Sequence, residues 1–265
     1  FPQIQNTKVK LLMKMPGVGK KVKKRICEQV YQAFGGNLYE VIIGGAALNQ
    51  EIESFLKDID FPFTVGYGAT ECAPIITYSD WHDFVPMSCG REVVYMEVKI
   101  DSENPETVPG EILARGLNVM LGYYKNDEAT AQTIDKDGWY HTGDLGLMDK
   151  GGNVFIKGRS KNMLLGPNGQ NIYPEEIEDK LNSMTFAMES VVVQRDGKLV
   201  GLVHPDFDEV HAMGLSRDDL QSLMEENRVQ VNANLPVYCK IAAIEIHDEE
   251  FEKTPKKSIK RYLYK

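Results

Sequence analysis

The sequence predicts a chain of mixed α/β and α+β class: a partial open sheet, then a small antiparallel and barrel-like β region, then a small α+β unit. Three observations predict it. Buried-strand and amphipathic-helix patterns alternate through residues 1–87, with glycines where the strands end, which is the grammar of an open parallel sheet. From about residue 88 the apolar period drops to two. After Gly158 strands and helices alternate again. These shifts divide the chain into 1–157, with subdivisions 1–87 and 88–157, and 158–265.

The elements follow in order. From Lys23 a helical face carries Ile26, Val30 and Phe34, and Gly35-Gly36 stops it. Val41-Ile42-Ile43 reads as a buried strand running into Gly44-Gly45. Asn49 caps a short helix with Ile52, Phe55 and Leu56 facing inward, and a second strand around Phe61 to Val65 ends in Gly66-Tyr67-Gly68. Met96, Val98 and Ile100 alternate with Glu97 and Lys99. Glu111–Arg115, Leu145–Met148 and Val154–Ile156 are further short strands, the last two joined by a turn at Asp149-Lys150-Gly151-Gly152. Pro174 opens a helix at its favoured first position, with Glu175 and Glu176 at the positive end and Ile177, Leu181 and Met184 inward. Strands at Val191–Val193, Leu199–Val203 and Ile241–Ile246 flank a helix capped by Ser216, with Asp219 three residues on.

Composition excludes several classes. Lys and Arg total 30 against 39 Asp and Glu, so the net charge of −9 argues against a general nucleic-acid binder. No window approaches the ~18–20 apolar residues of a membrane span, although peripheral contact with a membrane stays open. Cys27, Cys72, Cys89 and Cys239 are scattered, as are the five histidines, so a Cys/His metal site is not expected. Thiols so placed suit a reducing, cytoplasmic compartment, while Mg²⁺ held by oxygen ligands remains open. The basic run Lys8, Lys10, Lys14, Lys20, Lys21, Lys23, Lys24 and Arg25 reads first as a solvated helix face. Gly17-Val18-Gly19-Lys20 is not a phosphate loop, because Lys14 stands where that pattern needs glycine and Lys21 follows Lys20. A chain that opens at Phe1 reads as a piece of something longer.

Four patterns carry chemistry. Gly44-Gly45-Ala46 after a strand is a tight turn where backbone approaches something closely. Gly66-Tyr67-Gly68-Ala69-Thr70-Glu71 offers a ring face for a planar heterocycle, a hydroxyl for phosphate and a hard oxygen for Mg²⁺; a plain surface turn is the competing reading. Trp139-Tyr140-His141-Thr142-Gly143-Asp144 places a carboxylate just past a glycine turn, where it can accept two ribose hydroxyls or simply bond its own backbone. His141 reads as a packed neighbour rather than a base. Gly158-Arg159-Ser160-Lys161, followed by Tyr173-Pro174-Glu175-Glu176-Ile177-Glu178, marks a domain junction carrying fixed positive charge.

In this order the patterns resemble the adenylate-forming superfamily, specifically the AMP-forming acyl-CoA synthetases, with Gly110-Glu111-Ile112 as a further matching element. The resemblance runs from about Gly44 to Lys265, and the wording of Lys161–Glu178 is most similar to long-chain fatty acyl-CoA ligases. It implies that a carboxylic acid reacts with MgATP to give acyl-AMP and pyrophosphate, after which coenzyme A displaces AMP. Tyr67 would stack on adenine, Thr70 would bond the α-phosphate, and Glu71 would hold Mg²⁺. Asp144 and Arg159 would hold the ribose, while Gly44, Gly45 and Ala46 would line the acyl-adenylate pocket, beside Gly68. Lys161 would be the hinge of a mobile C-terminal lid, residues 158–265.

Two departures stand out. The phosphate-cradling loop that the family carries upstream is absent, so the piece alone is expected to be inactive. At the C-terminus, the family's catalytic lysine is replaced by Ser258 within Lys253-Thr254-Pro255-Lys256-Lys257-Ser258-Ile259-Lys260, and Lys257 is the substitute expected here. The alternatives are another adenylate-forming enzyme, aryl or carrier-protein-loading, or a non-catalytic module binding AMP or coenzyme A.

Overall fold

The computed structural model describes residues 12–255 and 257–264. Lys8 and Lys10 of the basic run, and Lys256, lie outside the described residues. The chain forms two compact units, Phe1–Ile156 and Lys157–Lys265.

In the first unit, helix α1 (Gly19–Ala33) turns Ile26 and Val30 inward. It ends at Gly35 and Gly36, whose φ values of 92° and 65° a side chain would resist. Phe34 lies past the last helical turn and is exposed rather than inward as expected. Strand β1 (Val41–Ile43) leads to helix α2 (Gln50–Asp58), where the Asn49 side chain accepts from the N–H groups of Glu51 and Ile52. Phe55 and Leu56 pack on the core as expected, but Ile52 is exposed and Glu53 is buried. The inward face has shifted by one residue because Glu53 Oε1 accepts from Met87 N at 2.5 Å, which satisfies a carboxylate there.

Strand β2 (Phe63–Val65) pairs in parallel with β1, Val41 opposite Phe63. Strands β3 (Tyr67–Gly68), β4 (Ile75–Tyr78) and β5 (Arg91–Glu92) form a small antiparallel sheet. Strands β6 (Met96–Asp101) and β7 (Gly110–Gly116) are followed by helix α3 (Asp127–Thr133), and strands β8 (Tyr140–Met148) and β9 (Val154–Arg159) complete a second antiparallel sheet. Along β6, Met96, Val98 and Ile100 are buried while Glu97, Lys99 and Asp101 are exposed, the predicted period of two. The order β6-β7-β8-β9 is linear, so the region expected to be barrel-like is an open sheet. Ile59, Phe63, Ile76, Ile112 and Val154 are fully buried at the centre of this unit.

Strand β9 runs through the boundary between the units. The second unit continues with a 3₁₀ turn at Ser160–Asn162, a hairpin of β10 (Leu164–Leu165) and β11 (Asn171–Ile172), and helix α4 (Pro174–Leu181). Strands β12 (Ala187–Arg195) and β13 (Lys198–Pro205) are antiparallel, and helices α5 (Phe207–Ala212) and α6 (Arg217–Ala233) lead to β14 (Ile241–Ile246), parallel to β13. Ser216 and Asp219 make a full capping box on α6. Ile177 and Leu181 of α4 meet Leu220 and Met224 of α6 and Ile241 of β14, each side chain contributing about 1.5–3 kcal/mol by leaving water. Among the described residues no helix is long and apolar enough to cross a membrane.

Candidate functional site

The pairing of β1 with β2 sets two glycine motifs side by side. Gly66 N donates to Ile43 O at 2.9 Å, and a Cβ on Gly44 would lie 3.2 Å from Gly66 O. Gly44, Gly45 and Ala46 form the exposed turn at that strand end. The chain then folds back sharply. Ala69 N donates to Pro74 O at 2.8 Å, and a Cβ on Gly68 would stand only 2.0 Å from that oxygen, so no side chain fits. This closure makes the 3₁₀ turn Thr70–Cys72, leaving Thr70 exposed and Glu71 half-buried.

A loop from further along the chain braces the turn. Asn118 Nδ2 donates to Cys72 O at 2.7 Å and to Ile75 O at 2.8 Å, and Met120 N donates to Glu71 O at 2.7 Å. Tyr123 Oη donates to Glu71 Oε1 at 2.9 Å. Burial, then the bond to Glu71, holds the Tyr123 phenol above its ordinary pKa. Burial raises Tyr140 also, with the charge of Glu71 next in effect. Both phenols therefore stay protonated at neutral pH, and Tyr123 stays a donor.

The aspartate motif meets the tyrosine motif directly. Tyr67 Oη donates to Asp144 Oδ2 at 2.7 Å, and both residues are buried. Asp144 N donates to Thr142 Oγ1 at 3.0 Å, and Thr142 Oγ1 donates to Ile112 O at 2.7 Å. Glu111 holds the approach to Asp144 from the side. Its Oε1 accepts from Gly143 N at 2.9 Å, and its Oε2 lies 2.9 Å from His141 Nδ1. His141 is thus engaged with a carboxylate.

Three expected residues lie in the second unit. Arg159 ends β9, and Lys161 is exposed in the 3₁₀ turn that follows. Lys257 is exposed at the tip of a tight turn, with φ of 59°. That turn is closed by Lys257 N donating to Thr254 O and by Thr254 N donating to Ser258 O, both at 2.8 Å. Lys260 Nζ pairs with Glu252 Oε2 at 3.1 Å, whereas Lys257 has no ion-pair partner among the described residues.

No group of three or more His, Cys, Asp or Glu gathers among the described residues. Mg²⁺ commonly binds through one or two carboxylates plus the phosphate oxygens of a bound nucleotide. Glu71 fits that pattern: it is half-buried, and one oxygen is oriented by Tyr123.

Residues 2–124 match the family of AMP-binding enzymes. That match spans the first part of the chain, which carries the Gly44-Gly45-Ala46 turn and the Gly66–Glu71 motif. It is similar to the long-chain-fatty-acid–CoA ligase of Escherichia coli O6:H1, at 37% identity over 178 residues, covering 65% of this chain and 28% of that protein. It is similar to 4-coumarate–CoA ligase 1 of Glycine max, at 38% over 177 residues, covering 62% of this chain and 60% of that protein. Its fold is similar to that of the ATP-bound RpMatB-BxBclM chimera B1, with TM-score 0.71 and 24% identity, over 97% of this chain and 49% of that one. The chain thus spans 28%, 60% and 49% of these three proteins, less than two thirds of each.

Sequence reasoning missed Tyr123 and Asn118. Neither stands in a periodic or charged pattern, and only the fold brings Tyr123 to Glu71. Glu111 was noted as a matching element without a role, and its two contacts now supply one.

Proposed function

We propose that the chain is part of an AMP-forming acyl-CoA ligase whose acid is a fatty acid, with long chains preferred. The Tyr67–Asp144 hydrogen bond carries this reading, because it draws two motifs far apart in sequence into one buried place. In this reading residues 1–157 belong to the adenylation domain and 158–265 form its lid, turning about Lys161. An oxygen of the acid attacks the α-phosphorus of ATP, and the bond to pyrophosphate breaks, leaving acyl-AMP. The thiol of coenzyme A then attacks the acyl carbon, and AMP departs.

Within that scheme Tyr67 and Gly68 border the adenine, Thr70 donates to the α-phosphate, and Gly44, Gly45 and Ala46 line the acyl-adenylate pocket. Glu71 would hold Mg²⁺, which when bound neutralises phosphate charge. Asp144 accepts from the ribose hydroxyls while keeping its bond to Tyr67, and Arg159 joins it when the lid turns. Lys257 brings positive charge to the α-phosphate and the acid. The free state of all four cysteines supports a reducing, cytoplasmic setting.

The near-equal identity to a fatty-acid ligase and to a coumarate ligase makes an aromatic acid the second reading. Acyl-dependent ATP–pyrophosphate exchange by the enzyme carrying this chain separates them, using palmitate, octanoate and 4-coumarate. Each buried methylene contributes about 0.8 kcal/mol, so palmitate should give the highest kcat/KM. Preference for 4-coumarate selects the aromatic reading, and no exchange with any acid rejects both.

A further inference from the structure

Helix α4 carries Glu175, Glu176 and Glu178, and each engages a different partner in the second unit. Glu176 Oε1 accepts from Lys157 Nζ at 2.7 Å, and Glu175 Oε1 accepts from Asn162 Nδ2 at 2.7 Å. These two contacts bracket the segment of Gly158, Arg159 and Lys161. Gly158 has φ of 155°, and a Cβ there would lie 2.6 Å from Glu175 Oε2, so the backbone at Gly158 lies beside the Glu175 carboxylate.

Glu178, one turn later, reaches the other end of the unit. Its Oε2 accepts from Arg261 Nη2, and its Oε1 accepts from Val192 N at 2.6 Å. Arg261 Nε lies 4.0 Å from Glu175 Oε1, so one guanidinium serves two carboxylates spaced i, i+3 on the helix. Arg261 starts the last 3₁₀ turn, Arg261–Leu263, directly after the turn that presents Lys257. Lys260 N donates to Glu252 O at 2.8 Å and ties the two turns together.

We propose that α4 is a clamp in which Glu178 and Arg261 are positioning residues, fixing the Lys257-bearing tail to the helix that holds the hinge segment. Tail and hinge then turn as one body, and Lys257 keeps its place relative to the pivot. The part that Lys257 plays rests on the adenylation reading; the clamp itself does not. Burial of Glu178 makes the tether consequential. Deleting Arg261 leaves the buried Oε2 of Glu178 without its donor, so release of the tail carries a cost at this point. The tail keeps a second anchor, since the rings of Phe251 and Tyr264 pack edge to face at 5.0 Å, so it can loosen without the unit unfolding.

Hydrogen–deuterium exchange on this 265-residue chain tests the clamp. In Arg261→Gln and in Glu178→Gln, the amides of Lys257, Lys260 and Leu263 should exchange about tenfold faster while β12 and β13 stay protected, a local opening. Glu178→Gln is nearly isosteric and neutral, so it reports even if Arg261→Gln fails to fold. Arg261→Lys should restore part of the protection. Wild-type exchange of the tail in Glu178→Gln overturns the proposal. In the enzyme carrying the chain, Glu178→Gln should lower kcat for acyl-adenylate formation about tenfold with KM for ATP unchanged, the pattern of a misplaced catalytic group. An unchanged kcat alongside a loosened tail overturns the positioning role. Absence of adenylation in the unsubstituted enzyme would count against the proposed function alone, and the exchange result would still judge the clamp.

Discussion

The hydroxyl of Tyr67 donates to Oδ2 of Asp144 at 2.7 Å, linking positions separated by 77 residues. The Asp144 carboxylate is thereby oriented by a residue of a different motif.

Tyr67→Phe should destabilise the first unit by about 1–3 kcal/mol, because a buried carboxylate loses a hydrogen-bond donor. Tyr123→Phe should cost less, since its acceptor Glu71 is only half-buried. Urea denaturation of the two variants measures the difference. A larger loss for Tyr123→Phe would contradict the ranking.

Asp144→Ala should damage acyl-adenylate formation more than thioester formation from acyl-adenylate supplied in excess. Two charge-assisted bonds to ribose are worth on the order of 2–4 kcal/mol. The comparison is between half-reactions of the enzyme carrying this chain. Unchanged KM and kcat for ATP would sink the assignment of Asp144 to ribose.

Lys257→Ala should abolish acyl-dependent ATP–pyrophosphate exchange and spare thioester formation from acyl-adenylate. Lys260→Ala should have the smaller effect, because Lys260 is engaged with Glu252 while Lys257 is exposed at the tip of its turn. Electrostatic contributions of this kind are commonly several kcal/mol. If Lys260→Ala carries the loss instead, the lysine has been misassigned.

Burial pushes Glu178 up from 4.5 to about 7, and the positive charge of Arg261 offsets only part of that. Between these values the folded chain keeps a proton that the unfolded chain has released. The contribution of Glu178 is therefore complete below about 4.5 and is lost as pH rises through about 7. The stability difference between wild type and Glu178→Gln should move against wild type across that interval. A difference that moves in favour of wild type would refute it.

How much was legible follows from how local each signal is. Asn49 and Ser216 announced their helices because a cap is decided within three or four residues, and both caps form. The alternation along β6 was readable because one face of the strand meets the core. The inward placement of Ile52 failed for a nonlocal reason: the N–H of Met87 arrives from another segment and makes burial of Glu53 favourable. Phe34 failed at a boundary, since periodicity does not say which residue is the last helical one. The glycine, tyrosine and aspartate motifs were visible as words, whereas the Tyr67–Asp144, Tyr123–Glu71 and Arg261–Glu178 pairings exist only once the chain has folded.

Strands β1 and β2 pair with each other and, among the described residues, with no third strand. A two-stranded sheet of this length stands close to the limit of independent stability, and its outer rims hold peptide groups ready to accept another strand. Ile42, 54% exposed, offers the apolar surface that makes such an encounter adhesive. The net charge of −9 acts to keep copies apart.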